Sequence, residues 1–435
     1  MSEPVSRVVI TGLGLVTPLG IGVDAFRSGL ERGLSTATPI SRFDVAGWNT
    51  RFACQVPDAF ESLAVSEMRK SLKLMGRASQ FAALAAALAL DDAGLPRKAP
   101  VPEAAGVVLG VGGVGLHDLE HTGMLARVAA DVASGTGPMR VPEAVERHMN
   151  PLVPLKLLPN ISASHISIAH DLRGESTTVC TACTSATQAL GEAFRTLRSG
   201  HQDWMLSGGS DAMVNPTGIL GFGLLGVLSR RNESPSTASR PFDRSRDGFV
   251  MGEGAALLVL ERLEHARARR ARIYAEVLGY GTASDAYRIT DEPPDGRGSV
   301  LAMRRALSDA RVAPERVGYV NAHGTGTRMN DLTEARALAQ VFGPGAAGIP
   351  VSSTKSQIGH LVAAAGAAET AACVLALHHQ LLPPSINVCE RDPEVELELV
   401  PGVARPARVE VVLKNSFGFG GQNACLVLGR WEDAG

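Results

Sequence analysis

Apolar residues in this chain gather into short runs that alternate with small-residue stretches of helical period. The segment RVVITGLGLVTPLG, residues 7 to 20, reads as a buried strand that ends in a Gly and Pro turn. Residues 77 to 93, RASQFAALAAALALDDA, predict an Ala-rich helix that Gly94 and Pro96 close, and GVVLGVGG at 106 to 113 predicts the next strand. Between 117 and 160 the periodicity weakens and His, Pro and Met are scattered, which predicts an inserted, partly helical excursion over a site or an interface.

Two distant segments follow one plan. STTVCTACTSATQALGEAFRTLRSG at 176 to 200 passes from a β-prone run through a Ser/Thr-rich bend into a small-residue helix with a closing glycine. IPVSSTKSQIGHLVAAAGAAETAACVLALHHQLL at 349 to 382 does the same, with a Lys-bearing bend and a longer Ala-rich helix. The pattern predicts an internally duplicated α/β protein whose two halves, 1–265 and 266–435, meet with corresponding helix N-termini at one site. The run HARARRAR at 265 to 272 marks the boundary and reads as a solvated helix end.

Composition narrows the class. The chain has 435 residues, 45% hydrophobic and 20% charged, enough for a large core. With 47 glycines and 4% aromatics, its elements must pack closely through Gly and Ala. A formal charge of -2 excludes nucleic-acid binding driven by overall positive potential. The N-terminus lacks a basic and apolar leader, and no uninterrupted apolar run is long enough for a bilayer, so a cytoplasmic location without a membrane partner is expected. Six cysteines are too sparse for a disulfide framework. Cys180 and Cys183 form a C-x-x-C that allows a redox pair, but no second such pair completes a zinc site, so no metal is expected. Gly12-x-Gly14 invites a dinucleotide reading, yet the third glycine is misplaced and Pro18 interrupts the helix that reading needs.

Chemistry concentrates at the punctuated ends of these runs. Cys183 lies at a predicted helix N-terminus, where free backbone N–H groups favour thiolate, and its neighbours Thr181, Thr184 and Ser185 are unusual for an inert core cysteine. His323, in YVNAHGTGTRMND, follows an apolar strand at a glycine-rich loop, a place for a catalytic side chain or for one that caps the turn. His360 lies close to Lys355, and Glu369, enclosed by GAAETAA, needs a buried partner that Lys355 can supply. NSFGFGGQNA at 415 to 424 permits a mobile aromatic gate, an oxyanion donor or a tight turn between strands.

Taken together, TACTSA around Cys183, NAHGTGT around His323, STKSQIGHLVAAAGAAE around His360 and NSFGFGGQN resemble the elongating beta-ketoacyl-acyl carrier protein synthases. VVITGLGLVTPLG and RPFDRSRDGFVMGEGAALLVLE extend the resemblance over nearly the whole chain. It implies the thiolase fold, two pseudo-symmetric α/β halves in five layers, and a homodimer. It further implies an acyltransferase in which Cys183 takes an acyl chain from a carrier-protein thioester, with the Cys183 and Phe419 backbone N–H groups as oxyanion hole. Neutral His323 and His360 then receive malonyl-carrier protein for decarboxylative condensation without a cofactor, while Lys355 and Glu369 position His360. Thr325 and Thr327 match residues that meet the pantetheine arm, Phe419 matches the gate, and Gly218 and Phe222 match the acyl pocket. For an acidic carrier protein, Lys70, Lys73, Arg77 and Arg231 are candidate docking residues.

The resemblance leaves two pathways, fatty-acid elongation and a type II polyketide or polyene ketosynthase paired with a chain-length subunit. A non-catalytic chain-length or scaffold member of the same fold would lack the cysteine that this chain has at position 183.

Overall fold

The computed structural model describes residues 6–112, 119–134 and 141–432. Its frame is a twelve-stranded sheet. The first half contributes β1 (Val8–Thr17), β2 (Ala105–Val111), β3 (Ser176–Val179), β4 (Trp204–Ala212) and β5 (Glu253–Arg262). The second half contributes β6 (Ala275–Ser284), β7 (Tyr319–Asn321), β8 (Pro350–Ser352), β9 (Glu398–Leu399), β10 (Val411–Gly418) and β11 (Gln422–Arg430), and the short strand Gly20–Ile21 folds back on β1.

The predicted duplication is visible in the strand order, β9-β8-β7-β10-β11-β6-β1-β5-β4-β2-β3. With β9 set aside, each half reads third, second, fourth, fifth, first. Pairing directions repeat as well: β2 is parallel to β3 and β4, as β7 is to β8 and β10, while β4–β5–β1 and β10–β11–β6 are antiparallel. The halves join where β1 pairs with β6 over Val8–Ile10.

Strands at the centre are apolar on both faces, because helices cover both sides. The main helices are α1 (Arg77–Ala93), α2 (Ser185–Arg198), α3 (Arg297–Ala310), α4 (Arg328–Phe342) and α5 (Ala365–His379). On β5, Ala256, Leu258 and Leu260 face the core formed with α2 and α5, whereas Ala255, Leu257 and Val259 face α1. On β11, Ala424, Leu426 and Leu428 join the same inner core, and Cys425 and Val427 turn outward to α3 and α4. The result is five layers, α1, first sheet half, α2 with α5, second sheet half, α3 with α4, as the thiolase fold requires.

Small residues make these layers possible. A Cβ on Gly14 would lie 1.8 Å from the Ala85 carbonyl oxygen and one on Gly12 2.4 Å from that of Ala89, so both glycines serve the packing of β1 on α1. They form no nucleotide-binding turn. Gly94 ends α1 in the left-handed region at φ 65°. Every residue of α5 from Ala365 to Leu377 is buried. The stretch Val362–His379 is long and apolar enough to cross a membrane, yet 89% of it is buried inside the protein, which identifies a core helix.

The predicted excursion contains helices Leu119–Ser134, Val141–His148 and Val153–Leu157, and residues 117–118 and 135–140 of it lie outside the described residues, as does position 113 of the predicted strand. The arginine run is tied down more firmly than a solvated helix end. Arg269 pairs with buried Glu261, and Arg272 reaches Asp92 at 2.6 Å.

Candidate active site

Cys183 stands on the short turn Ala182–Thr184 that feeds into α2, and the turn Val362–Ala364 feeds into α5 in the same way. Ala182 and Val362 hold φ values of 50° and 46°, a left-handed backbone that costs a residue with a Cβ roughly 1–2 kcal/mol. The Ser/Thr neighbours explain how the first turn persists. Thr181 N–H donates to Ser185 Oγ at 2.8 Å, Ser185 Oγ donates to the Ala182 carbonyl at 2.7 Å, and Thr184 Oγ1 donates to the Thr181 carbonyl at 2.7 Å.

The strained turn aims Cys183 Sγ at His360 Nε2, 3.0 Å away. The Val362 N–H donates to His360 Nδ1 at 3.1 Å, which leaves the imidazole proton on Nε2, facing the sulfur. The backbone N–H of Phe419 also points at the sulfur. Burial nevertheless pushes the Cys183 thiol up to about 12, against the opposing effects of Lys355 and that N–H. The expectation of a thiolate held by the helix terminus is therefore corrected for the resting state: desolvation in an enclosed site outweighs it.

His323 follows β7, and its loop is shaped by Glu334 from α4, whose carboxylate accepts the N–H groups of His323 (2.9 Å) and Gly324 (2.8 Å) and the side chain of Asn415 (3.1 Å). Lys355 Nζ lies 3.2 Å from His323 Nδ1 and donates to the His323 carbonyl at 2.6 Å. An ammonium facing Nδ1 makes that nitrogen an acceptor and places the proton of His323, too, on Nε2. Lys355 also pairs with Glu369, as expected, but its contact is with His323 and not with His360. The ammonium is held between Glu369, in the second turn of α5, and the His323 carbonyl that follows β7.

Burial, Lys355 and Lys414 hold both imidazoles well below the usual histidine range, so they are neutral at physiological pH. Reactive atoms of Cys183, His323 and His360 lie within 4.8 Å of one another. Such a cluster has the spacing of a metal site, but its surroundings do not fit one: a donor at each Nδ1 keeps the proton on the Nε2 that would have to ligate, and two buried lysines stand behind.

Lys414 was not singled out by the sequence. It lies on β10, fully buried, with Nζ 3.1 Å from Glu369 Oε2 and 2.7 Å from Thr187 Oγ1. The signal was available in VVLKNSF, where period two puts Lys414 on the same face as Val412, which packs in the inner core.

A cavity of about 370 Å³ opens over the cysteine and is lined by Phe222, Thr325, Thr327 and Phe419 among others. Thr325 and Thr327 hydroxyls meet at 2.8 Å, and Phe222 stacks on Phe419 with centroids 6.4 Å apart. Gly218 is absent from this lining; it sits in the first turn of helix Pro216–Leu224, capped by Asn215 and with no room for a Cβ beside the Met213 carbonyl. Cys180 is exposed just past the end of β3. Of the docking candidates, Lys70 and Lys73 are exposed, while Arg77 is held by buried Glu253 at 2.9 Å and by Glu61 at 2.6 Å and is not free to dock. Arg231 donates to the Ser245 carbonyl at 2.6 Å and lies beside Asp247.

The chain matches the description "Beta-ketoacyl synthase, N-terminal domain" over residues 5–266 and "Beta-ketoacyl synthase, C-terminal domain" over residues 274–389. It is 41% identical to a 3-oxoacyl-[acyl-carrier-protein] synthase 2 of Coxiella burnetii over 98% of this chain and 99% of the relative. Among solved structures, the ishigamide ketosynthase/chain length factor superposes with a TM-score of 0.86 at 37% identity, covering 98% of this chain and all of that one. A type II ketosynthase in complex with its acyl-carrier protein, AntDE:AntF, superposes with a TM-score of 0.85 at 32% identity over 98% of this chain and 100% of that chain. Fold, reactive trio and sequence relatives agree: this chain belongs to the beta-ketoacyl synthase family.

Proposed function

We propose that this protein is a beta-ketoacyl-acyl carrier protein synthase of fatty-acid elongation, using Cys183 as nucleophile and His323 and His360 as paired hydrogen-bond donors. The observation that carries the reading is the direction of two protons. Each imidazole has its Nδ1 occupied by a donor, the Val362 N–H or the Lys355 ammonium, and so presents Nε2–H to the space beside Cys183 Sγ.

In the first half-reaction Cys183 sulfur attacks the carbonyl of an acyl-carrier thioester, and its proton leaves on the pantetheine sulfur. The oxyanion rests on the backbone N–H groups of Cys183 and Phe419. Malonyl-carrier protein then enters, and the thioester oxygen accepts Nε2–H from both His323 and His360. As the carboxylate leaves as carbon dioxide, its bonding pair becomes the enolate that these donors stabilise. The enolate carbon attacks the acyl–Cys183 carbonyl, the sulfur departs as thiolate and regains a proton from solvent, and a beta-ketoacyl chain longer by two carbons remains on the carrier. Lys355 and Glu369 act through His323. The reaction assigned to these residues uses no cofactor or metal.

Thr325 and Thr327 line the approach for the pantetheine arm, Phe419 forms the gate and stacks on Phe222 of the acyl pocket, and exposed Lys70 and Lys73 are docking positions for an acidic carrier. Division into halves 1–265 and 266–435 fits the repeated strand order. A homodimer through the outer edge of β3 fits its position at the end of the sheet, unpaired among the described residues, and the exposed Ile168 on the preceding helix, and a cytoplasmic location fits a carrier-dependent enzyme. A second reading, the ketosynthase of a polyketide or polyene pathway in a heterodimer with a chain-length subunit, is favoured by the likeness to the ishigamide ketosynthase/chain length factor.

Intact-mass measurement with acyl-carrier proteins of graded length separates these readings. An acyl adduct lost in Cys183→Ala and discharged as a beta-ketoacyl product by malonyl-carrier protein is the expected result. Turnover only in the presence of a second subunit would favour the polyketide reading, and an adduct on Cys183→Ala would refute the assigned nucleophile.

A further inference from the structure

Glu369 is shared by two lysines. One oxygen pairs with Lys355, and the other lies 3.1 Å from Lys414 Nζ. Lys414 also donates to Thr187 Oγ1 at 2.7 Å and to Ser416 Oγ, so it ties β10 to α2 four residues after the nucleophile. Gly366 makes the space: a Cβ there would stand 2.2 Å from Thr187 Oγ1 and 3.1 Å from Lys414 Nζ. Burying an ammonium costs several kcal/mol unless it is paired, and an apolar side chain of like volume would avoid that cost. Here one carboxylate serves two lysines; burial lowers the Lys414 amine from its ordinary value and Glu369 opposes that, so whatever charge Lys414 carries stands beside two imidazoles.

The other titratable groups around this cluster are Cys183 before α2, Asp211 on β4, Tyr319 on β7, Glu334 on α4, Cys373 on α5 and Cys425 on β11. Glu334 is already taken up by the His323 loop and Asn415, and Asp211 by the Ala363 and Ala212 N–H groups. Neither contacts Lys414 in a way that would cancel its charge.

We propose that Lys414 is a positioning residue for condensation, which holds Glu369 against α2 so that Lys355 faces His323, and which adds its own amine to that of Lys355 behind the two imidazoles. This rests on the condensing role proposed above. Its effect falls on the malonyl step, because the amine that Lys414 helps to position contacts His323 directly, whereas it reaches Cys183 only through its field.

The test measures acyl-adduct formation and malonyl decarboxylation separately, across pH, for wild type, Lys414→Met and Lys414→Gln. Wild-type condensation is the control: without it the functional reading fails and Lys414 is not at issue. In both variants acylation should stay within about twofold, whereas decarboxylation falls about tenfold or more. The acid limb of decarboxylation should move up by about one pH unit, since a nearby positive charge has gone. Lys414→Gln should lose less than Lys414→Met, because its amide still donates to Thr187, yet show the same pH shift. An unmoved acid limb in Lys414→Gln, or an equal fall in both half-reactions, would overturn the inference. If Lys414→Met does not fold, Lys414→Gln alone decides the matter.

Discussion

His323 and His360 reach one protonation state by different routes. In His360 a backbone N–H of the strained Val362 turn fixes the tautomer, and in His323 a lysine does so. Removal of either ring takes away one of two donors to a developing oxyanion, so His323→Ala and His360→Ala should each slow carbon dioxide release from malonyl-carrier protein by about 10²–10³-fold. Adduct formation on Cys183 should survive His323→Ala, which mass measurement of the acyl-enzyme would check. Because both imidazoles titrate well below the ordinary value of 6.5, decarboxylation should persist below that pH; a rate that halves at pH 6.5 would contradict the assignment. The same depression has a stability consequence. Below 6.5 the unfolded histidines bind protons that the folded ones do not, so this contribution to stability is intact above 6.5 and is lost as pH falls toward the folded values. Thermal melts between pH 8 and 5 would register it as a falling Tm.

At this scale much of the site was legible, because chemistry sits where glycine or Ser/Thr interrupts an apolar run. Cys183, His323, His360 and Phe419 all lie at such interruptions. Lys414 does not; it lies within VVLKNSF and declares itself only through strand period. The direction of Lys355 toward His323 was beyond sequence reasoning, since it depends on how two separate strands place their following loops.

Elements were predicted best where helix caps and glycines coincide. The helix Arg77–Ala93 ends at Gly94 as read, and the parallel designs of segments 176–200 and 349–382 emerge as strand, left-handed turn and central helix in both halves. Gly12 and Gly14 carried a wrong invitation, because a glycine required by a nucleotide and one required by a neighbouring helix look alike in sequence. Gly14→Ala tests the packing role. With a Cβ 1.8 Å from a backbone oxygen of α1, the layers must separate, and a loss of about 1–3 kcal/mol is expected, read as a lower midpoint in urea unfolding. An unchanged midpoint would mean that α1 can shift freely on β1.

On the scale of the molecule, strand order and burial leave β3 as an edge. Among the described residues no strand pairs with its outer side, and Ile168, 75% exposed, lies on the preceding helix, which Ser167 joins to Ser176 of β3. For a homodimer through this edge, Ile168→Asp should shift the protein toward monomer in sedimentation experiments while β3 itself remains intact. Sedimentation identical to that of wild type would move the interface elsewhere.

The inner layer belongs to neither half alone. Residues of β1, β5, β6 and β11 and both central helices share a single apolar cluster, and the carboxylate of α5 is held by two lysines of the second half, of which Lys414 reaches a threonine of the first. A chain cut between the repeats would therefore release two fragments, each with one naked sheet face and a helix that has lost its mate. Such pieces should precipitate when made separately and recover only when made together.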